Sequence, residues 1–136
     1  MSTNDYTQAS SAVATYTFNW STIPNGIFWQ AAITNKSFNF PNATSIGVNA
    51  FSSSGVVGIN SPNVTSIGNN AFNGCSSLTS IDLSNCTSIQ WDAFNGCSSL
   101  TTVDLSNITF IDTRTFSGCS ALTSVENLSN VTSIGT

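Results

Sequence analysis

The sequence contains no histidine, the commonest general base and metal ligand near neutral pH. The side chains best suited to chemistry are therefore its four cysteines. Cys75, Cys97 and Cys119 recur at equal intervals, each in the phrase Gly-Cys-Ser. A nucleophilic thiolate needs an activating partner, and a four-cysteine zinc site needs convergent pairs such as C-x-x-C. Neither is present, so we expect no enzyme activity and no metal site built on cysteine.

The same spacing predicts free thiols in a buried setting. Cys86 takes the place of Val64 and Ile108 in the neighbouring repeats, and a free cysteine packs like a small apolar side chain. A disulfide between stacked turns stays geometrically possible, since neighbouring turns could bring two Cα atoms to about 4.4–6.8 Å. Three cysteines in one column cannot all pair, which favours the free, buried form.

Acidic side chains form the second chemically notable row, because they recur just after an apolar position of each repeat. The row consists of Asp82, Asp104 and Glu126, flanked by the hydroxyl-bearing Thr79, Thr101 and Thr123. Like charges on adjacent strands repel, so such a row suggests a binding surface for a basic partner or for a hard cation such as Ca²⁺. The alternative is a solvated face on which screening keeps the repulsion small.

Charge and composition exclude several classes of function. The 136 residues carry a net charge of −4 with only Lys36 and Arg114 as cations, whereas nucleic-acid binding needs clustered basic side chains. No apolar run reaches the roughly 18–20 residues of a membrane span. Residues 1–5 lack the basic start of a secretory signal, which leaves a cytoplasmic location open. The Ser-, Thr- and Asn-rich, weakly charged composition is typical of extracellular fibres and virion proteins, and it favours an extracellular surface or a virion.

An internal repeat accounts for most of the chain and must position these residues. A block such as Asn63–Gly68 returns at a nearly constant step, and units of this kind bury their apolar sides only by stacking. The spacing predicts a phenylalanine column that fills the interior and an asparagine column whose amides satisfy backbone groups of the next turn. These columns are Phe51, Phe72, Phe94 and Phe116, and Asn42, Asn63, Asn85, Asn107 and Asn130.

The repeat resembles a known family. Residues 64–78, V-T-S-I-G-N-N-A-F-N-G-C-S-S-L, are similar to the BspA-like leucine-rich repeat, and the resemblance covers residues 37–136. It implies a leucine-rich-repeat-like solenoid of about four to five coils, each of about 21–23 residues, with a parallel β-sheet on its strand face. Members of the family are typically bacterial, protist or viral surface proteins, so the resemblance implies an adhesin or protein-binding scaffold without cofactors.

Residues 1–36 follow the repeat less closely and are predicted to form an aromatic-rich, β-rich cap. An alternation over residues 12–20 predicts a strand with an aromatic face, and residues 27–33 alternate again as a strand or a short helix. Counting back one period places Trp29 in the phenylalanine column, and Phe38 and Phe40 match Ile81 and Leu83. This segment either caps the first coil or docks a partner through Tyr16 and Trp20.

The last residues predict an open end, because the sequence stops halfway round a coil at Thr136. An uncapped solenoid exposes unpaired strand groups, which template association. If a neighbouring copy covers this end, the contact is head-to-tail and generates a ring or a filament.

Trp91 is the other candidate contact residue. It occupies the position of Asn69 and Thr113, which should face outward, so it either anchors a partner or packs against the next loop.

Two hypotheses for function follow from the sequence. The first is a non-enzymatic adhesion or recognition module that binds a protein or surface receptor through the strand face. The second is a self-assembling structural subunit of a filament, fibre or capsid, joined end to end.

Overall fold

Each repeat forms one turn of the chain in the computed structural model, which describes residues 13–135. Two strands alternate in every turn, and we number them β1–β12 along the chain. The longer set is β1 Ala14–Thr17, β3 Lys36–Asn39, β5 Val56–Asn60, β7 Ser80–Ile81, β9 Thr102–Asp104 and β11 Ser124–Glu126. The shorter set is β2 Thr22–Ile23, β4 Ser45–Ile46, β6 Ser66–Ile67, β8 Ser88–Ile89, β10 Phe110–Ile111 and β12 Ser133–Ile134. A 3₁₀ turn at Leu128–Asn130 precedes β12.

Every strand pairs in parallel with the equivalent strand of a neighbouring turn. The longer set forms the sheets β1-β3-β5-β7 and β9-β11, and the shorter set forms β2-β4-β6-β8 and β10-β12. Strand pairing aligns Tyr16 with Phe38, Phe38 with Ile59 and Ile59 with Ile81. The predicted parallel-strand solenoid is therefore confirmed. It has six turns, because the degenerate first coil expected before residue 37 pairs in register like the coils that follow.

The predicted cap is described only in part. Its strand within residues 12–20 is present as β1, while residues 1–12 and the terminal Thr136 lie outside the described residues. The described part of the cap joins the same sheet as the later turns, so residues 14–35 form the first coil of the solenoid and Lys36 begins the second.

A stack of phenylalanine rings runs through the interior. Phe51, Phe72, Phe94 and Phe116 follow one another with ring centroids 5.2, 5.2 and 5.5 Å apart and planes within 7° of parallel. The spacing repeats the separation of the parallel strands, about 4.8 Å, with a small ring offset. The column therefore brings aromatic surface from successive turns together in one continuous core.

Phe28, not the predicted Trp29, begins this stack. The Phe28 ring lies 5.0 Å from that of Phe51, and its backbone N–H donates to the carbonyl of Ala50. Trp29 is 57% exposed. The prediction fell on the adjacent residue because the interval from Phe28 to Phe51 is longer than the interval from Phe51 to Phe72. Residues 27–33, expected as a strand or short helix, form a turn over residues 27–30 and continue without regular secondary structure to residue 33.

Asparagine amides join successive turns at the corner between the longer strand and the shorter strand of each turn. The Nδ2 group of each donates to a backbone carbonyl one turn back, which leaves fewer unpaired acceptors along the corner. The pairs are Asn63 with Pro41 at 2.7 Å, Asn85 with Pro62 at 2.8 Å, Asn107 with Ser84 at 2.5 Å and Asn130 with Ser106 at 2.5 Å.

The thiols of three cysteines also bridge the turns. Cys75 donates its Sγ–H to the carbonyl of Phe51 at 2.9 Å, and Cys97 and Cys119 repeat the contact one and two turns later at 3.1 Å. All four cysteines are free. Burial raises the pKa of the Cys75 and Cys86 thiols to about 11, so at neutral pH they are protonated hydrogen-bond donors rather than nucleophiles.

We predict that Phe94→Ala destabilises the fold far more than Phe110→Ala. Phe94 is fully buried between two stacked rings, whereas Phe110 is 46% exposed. A buried Phe→Ala change leaves a cavity and costs about 3–5 kcal/mol, and an exposed change costs about 0.5 kcal/mol or less. Urea unfolding of both variants measures the difference. Equal losses of unfolding free energy would show that the ring stack is not the main core contact.

We predict that Cys86→Val removes part of the chain's sensitivity to alkaline pH. The Cys86 thiol has an ordinary pKa of 9.0 when unfolded and about 11 when folded, so its contribution is complete below pH 9 and is lost as the pH rises through 11. Two pKa units correspond to about 2–3 kcal/mol at most. Valine suits the site because Val64 occupies the same column.

The measurement is the unfolding free energy of both chains between pH 7 and 11 under reducing conditions. The gap between the two curves should be constant below about pH 8.5 and should shift in favour of Cys86→Val above it. Curves that stay parallel through pH 11 would contradict a buried, protonated thiol at residue 86.

Candidate binding surface

The longer strands present two rows of side chains on the outer side of their sheet, and the strand register fixes both rows. The first row is Thr15, Ser37, Gly58 and Ser80, continued by Thr102 and Ser124. The second row pairs Thr17 with Asn39, Asn39 with Asn60 and, two turns further on, Asp104 with Glu126. Asp82 directly follows β7 and occupies the intervening turn. The surface is thus neutral over the early turns and acidic over the late ones.

The two aspartates of the acidic row also bond to their own turn. One oxygen of Asp82 accepts from the Ser84 N–H at 2.9 Å and from the Ser84 hydroxyl at 2.6 Å. Asp104 repeats the arrangement with the backbone N–H and hydroxyl of Ser106, and it also accepts from the amide of Asn127 at 2.9 Å. The Ser106 hydroxyl, the Asn127 amide and the Ser106 N–H lower the pKa of Asp104, so this carboxylate stays ionised to lower pH than a free aspartate.

The acidic row does not form a cage for Ca²⁺. Within residues 13–135, no group of three or more Asp, Glu or Cys side chains converges as a metal site would require. Asp104 and Glu126 are neighbours on paired strands, but Asp82 lies one further turn away and turns an oxygen toward Ser84. The structure therefore gives no support to the calcium alternative and leaves the row as a linear array of charge.

The predicted flanking threonines directly precede β7, β9 and β11. Thr79, Thr101 and Thr123 are exposed, and each successive backbone N–H donates to the carbonyl of the preceding threonine, at 3.4 and 3.1 Å. The Thr79 hydroxyl donates to the carbonyl of Val57 at 3.0 Å. The first row, at Ser80, Thr102 and Ser124, therefore lies between these threonines and the acidic row along each strand.

Over the early turns the second row is an uncharged ladder. The amide of Asn60 donates to the Asn39 side-chain oxygen at 2.8 Å, and Asn39 donates to the Thr17 hydroxyl at 3.3 Å. Gly58 leaves a shallow groove of about 360 Å³ beside the ladder. The groove is lined by Thr15, Ser37, Phe38, Asn39, Gly58, Ile59, Asn60 and Ser80.

The three aromatic contact candidates fall in different environments. Trp91 is 41% exposed, in agreement with its predicted outward position. Tyr16 is only 6% exposed, and its ring packs 5.9 Å from that of Phe38, which removes it from the contact surface. Trp20 is half-buried, with its ring 4.6 Å from that of Phe18. Both belong to the inward set of the alternation over residues 14–20, which packs in or against the core of the solenoid.

An ion pair between turns 4 and 5 was missed by the sequence reasoning, which treated Arg114 as a lone cation. Its Nε and one terminal nitrogen contact the two carboxylate oxygens of Asp92 at 2.9 and 2.6 Å. The Asp92 side chain is 5% exposed and also accepts from Asn95 at 3.1 Å. The signal was available, because Arg114 follows Asp92 by one repeat period.

The fold defines a parallel β-solenoid built from leucine-rich repeats, and comparison with known proteins identifies its type. The family model described as "BspA type Leucine rich repeat region (6 copies)" matches residues 21–136. The chain therefore belongs to the BspA-type leucine-rich repeat family. No curated protein matches the sequence.

Two solved structures are similar to this chain. One is a leucine rich cell surface protein from Faecalibacterium prausnitzii, 30% identical with a TM-score of 0.71, and the similarity covers 85% of this chain but only 32% of that one. The other is the leucine-rich repeat protein of T. pallidum, 19% identical with a TM-score of 0.65, covering 91% of this chain and 73% of that one, which shows the fold alone. In the part of the chain that the structure describes, no helix is long and apolar enough to cross a membrane.

We predict that Arg114→Ala destabilises the protein by about 1–3 kcal/mol through the loss of a partner for Asp92. An unpaired buried carboxylate is costly, although the 59% exposure of the Arg114 side chain moderates the effect. Asp92→Asn should be milder, because Asn70 fills the same position one turn earlier.

A double-mutant cycle in urea tests the pair. Arg114→Ala should cost clearly less when Asp92→Asn is already present, since an amide needs no counter-charge. Additive losses would show that the two side chains do not stabilise each other.

Proposed function

We propose that this chain is a non-enzymatic recognition module on a cell or virion surface, which binds a protein partner through the late turns of its strand face. Membership of the BspA-type family and the similarity to a bacterial cell surface protein support a surface role. The chain spans about a third of the length of that neighbour, so the module works here as one stretch of a repeat surface.

The observation that carries this proposal is the alignment of Asp104 with Glu126 on paired strands, with Asp82 one turn earlier. Like charges at neighbouring positions repel, and the unfavourable term is relieved when a partner brings basic side chains to the row. The two cations of the chain do not serve this purpose, since Arg114 pairs with Asp92 and Lys36 lies in the second turn. The partner surface that fits is therefore basic.

Trp91 supplies a second, separate contact point. It is a large aromatic side chain that remains 41% exposed shortly after β8, and tryptophan is enriched among the residues that dominate binding energy. We assign it to partner contact rather than to packing, because the surrounding turn is complete without it: its equivalents are the smaller Asn69 and Thr113.

End-to-end assembly is the second candidate function, and a separate set of side chains favours it. Val125, Leu128 and Ile134 on turn 6 are each at least 40% exposed, and Ile134 is 68% exposed. Exposed large apolar side chains of this kind favour association with another chain when they lie close together. The native mass in solution separates the candidates: an open-ended assembly supports a structural subunit, and a monomer or small oligomer supports a recognition module.

We predict that neutralising the acidic row weakens binding of a basic probe about tenfold. The triple variant Asp82→Asn, Asp104→Asn and Glu126→Gln removes three negative charges and keeps side-chain shape. A fluorescently labelled oligolysine peptide, followed by anisotropy at low salt, should bind about tenfold more weakly to the variant, given that each ion pair contributes about 0.2–1 kcal/mol. The same titration at high salt should weaken binding to the unmodified chain.

A matched control separates the row from overall charge. Ser76→Lys, Gln90→Lys and Ser117→Lys together change the net charge from −4 to −1, as the triple variant does, at exposed positions away from the longer strands. This control should retain most of the binding. If both variants lose affinity equally, the acidic row is not a binding site and only net charge matters.

A further inference from the structure

The first turns of the solenoid contain an apolar cavity that the strand face does not use. It has a volume of about 540 Å³, within the range of about 300–1,000 Å³ that is usual for small-molecule sites. Aromatic rings and small aliphatic side chains make up most of its wall. The lining residues include Phe18, Phe28, Ala31, Lys36 and Phe38.

Lys36 is the exceptional member of this wall. The strand register aligns it with Ala14 on one side and Val56 on the other, and both of these side chains are buried. A column that is otherwise apolar and directed inward therefore carries a lysine where it borders the cavity. The register with β5 shifts after the pairing of Lys36 with Val56 because Val57 is an extra, unpaired residue of β5, whereas Lys36 keeps an unbroken register with β1.

The charge of Lys36 is not balanced by the residues around the cavity. Within residues 13–135 the lysine has no carboxylate at ion-pair distance, and no acidic side chain lines the cavity. A lysine can lay its methylene stem along an apolar wall while its ammonium group remains free to bind an anion. The cavity thus combines an aromatic interior with a single positive charge.

We propose that this cavity binds a small amphiphilic carboxylate, with its acyl or aryl body against Phe18, Phe28 and Phe38 and its carboxylate on the Lys36 ammonium. One cation matches one negative charge, and the apolar wall favours a hydrocarbon body over a polar one. A phosphate ester would require further donors, and the other cation of the chain, Arg114, lies in turn 5 and pairs with Asp92. This site is independent of the acidic row and of the function proposed for it.

Trp20 provides a local reporter for binding. Its ring lies 4.6 Å from Phe18 and 6.4 Å from Phe28, both of which line the cavity. A ligand that enters the cavity changes the surroundings of these rings and should alter the fluorescence of Trp20. Trp29 and Trp91 are exposed, so their fluorescence is a background signal. The Trp20→Phe variant shows only this background, and its difference from the unmodified chain is the signal of Trp20.

The test is a titration of the full chain with octanoate, followed by tryptophan fluorescence and calorimetry, with octanol and octylamine as matched neutral and cationic probes. Octanoate should bind about tenfold or more tightly than octanol, because a charge-assisted contact adds to the same hydrocarbon burial. Lys36→Met should reduce octanoate binding to the level of octanol, and Lys36→Arg should preserve the preference. Ala31→Phe, which fills the cavity, should abolish binding of both.

Three outcomes would overturn the proposal. One is an affinity for octanoate no greater than that for octanol. Another is an unchanged affinity after Lys36→Met in a variant whose circular dichroism and melting match the unmodified chain. The third is an unchanged affinity after Ala31→Phe, which would place the bound ligand outside the cavity. None of these results bears on the acidic row, so the two proposals can fail separately.

Discussion

The structure depends on one constraint: each residue has as its nearest long-range neighbour the equivalent residue of the next turn, about 4.8 Å away across a parallel ladder. A side chain must therefore be compatible with another copy of its own type. Stacked Phe72 and Phe94 satisfy this requirement by ring contact at 5.2 Å, and the asparagines satisfy it by donating to the carbonyl one turn back. The thiols do the same through Cys97 and the carbonyl of Phe72. Apolar, amide and thiol columns are all self-compatible, which is why a few residue types recur.

The same constraint acts on the backbone of each turn. Asn49, Asn70, Asp92 and Arg114 all adopt a left-handed conformation at one corner, with φ between 52° and 57°. A second corner carries Gly74, Gly96 and Gly118, where a Cβ added to Gly118 would approach the Cα of Gly96 to 3.3 Å. Glycine thus meets both the positive φ and the close approach of backbones. Asparagine tolerates the left-handed conformation of the first corner. Two turns carry Asp92 and Arg114 at this corner instead of asparagine, and the ion pair between these side chains stabilises them.

Sequence reasoning succeeded where the period is regular and failed where it drifts. The solenoid, the parallel strands and the stack from Phe51 to Phe116 follow from columns whose intervals are nearly constant. Phe28 was missed because its longer interval to Phe51 puts Trp29 at the expected place, and only the hydrogen bond to Ala50 resolves the register. The place of Lys36 in a cavity wall also required coordinates, since alternation with the buried Phe38 puts it on the inner face of its strand but does not predict a cavity there. Pairing of Asp92 with Arg114 could have been found, because the columns alone place them one turn apart.

The second row of the strand face carries like charges in its late turns, at Asp82, Asp104 and Glu126, and is not self-compatible there. The early members of the same row show that folding does not require these charges. Asn39 and Asn60 occupy the same column and form a favourable amide ladder. An asparagine at residue 82 or 104 could accept the same bonds from Ser84 or Ser106 through its side-chain oxygen, without the charge. The negative charge strengthens these bonds but is not required to form them, and it introduces repulsion between Asp104 and Glu126. The repulsion between neighbouring carboxylates, at a column whose neutral version is present in the preceding turns, is the basis on which we propose a basic partner surface outside the chain.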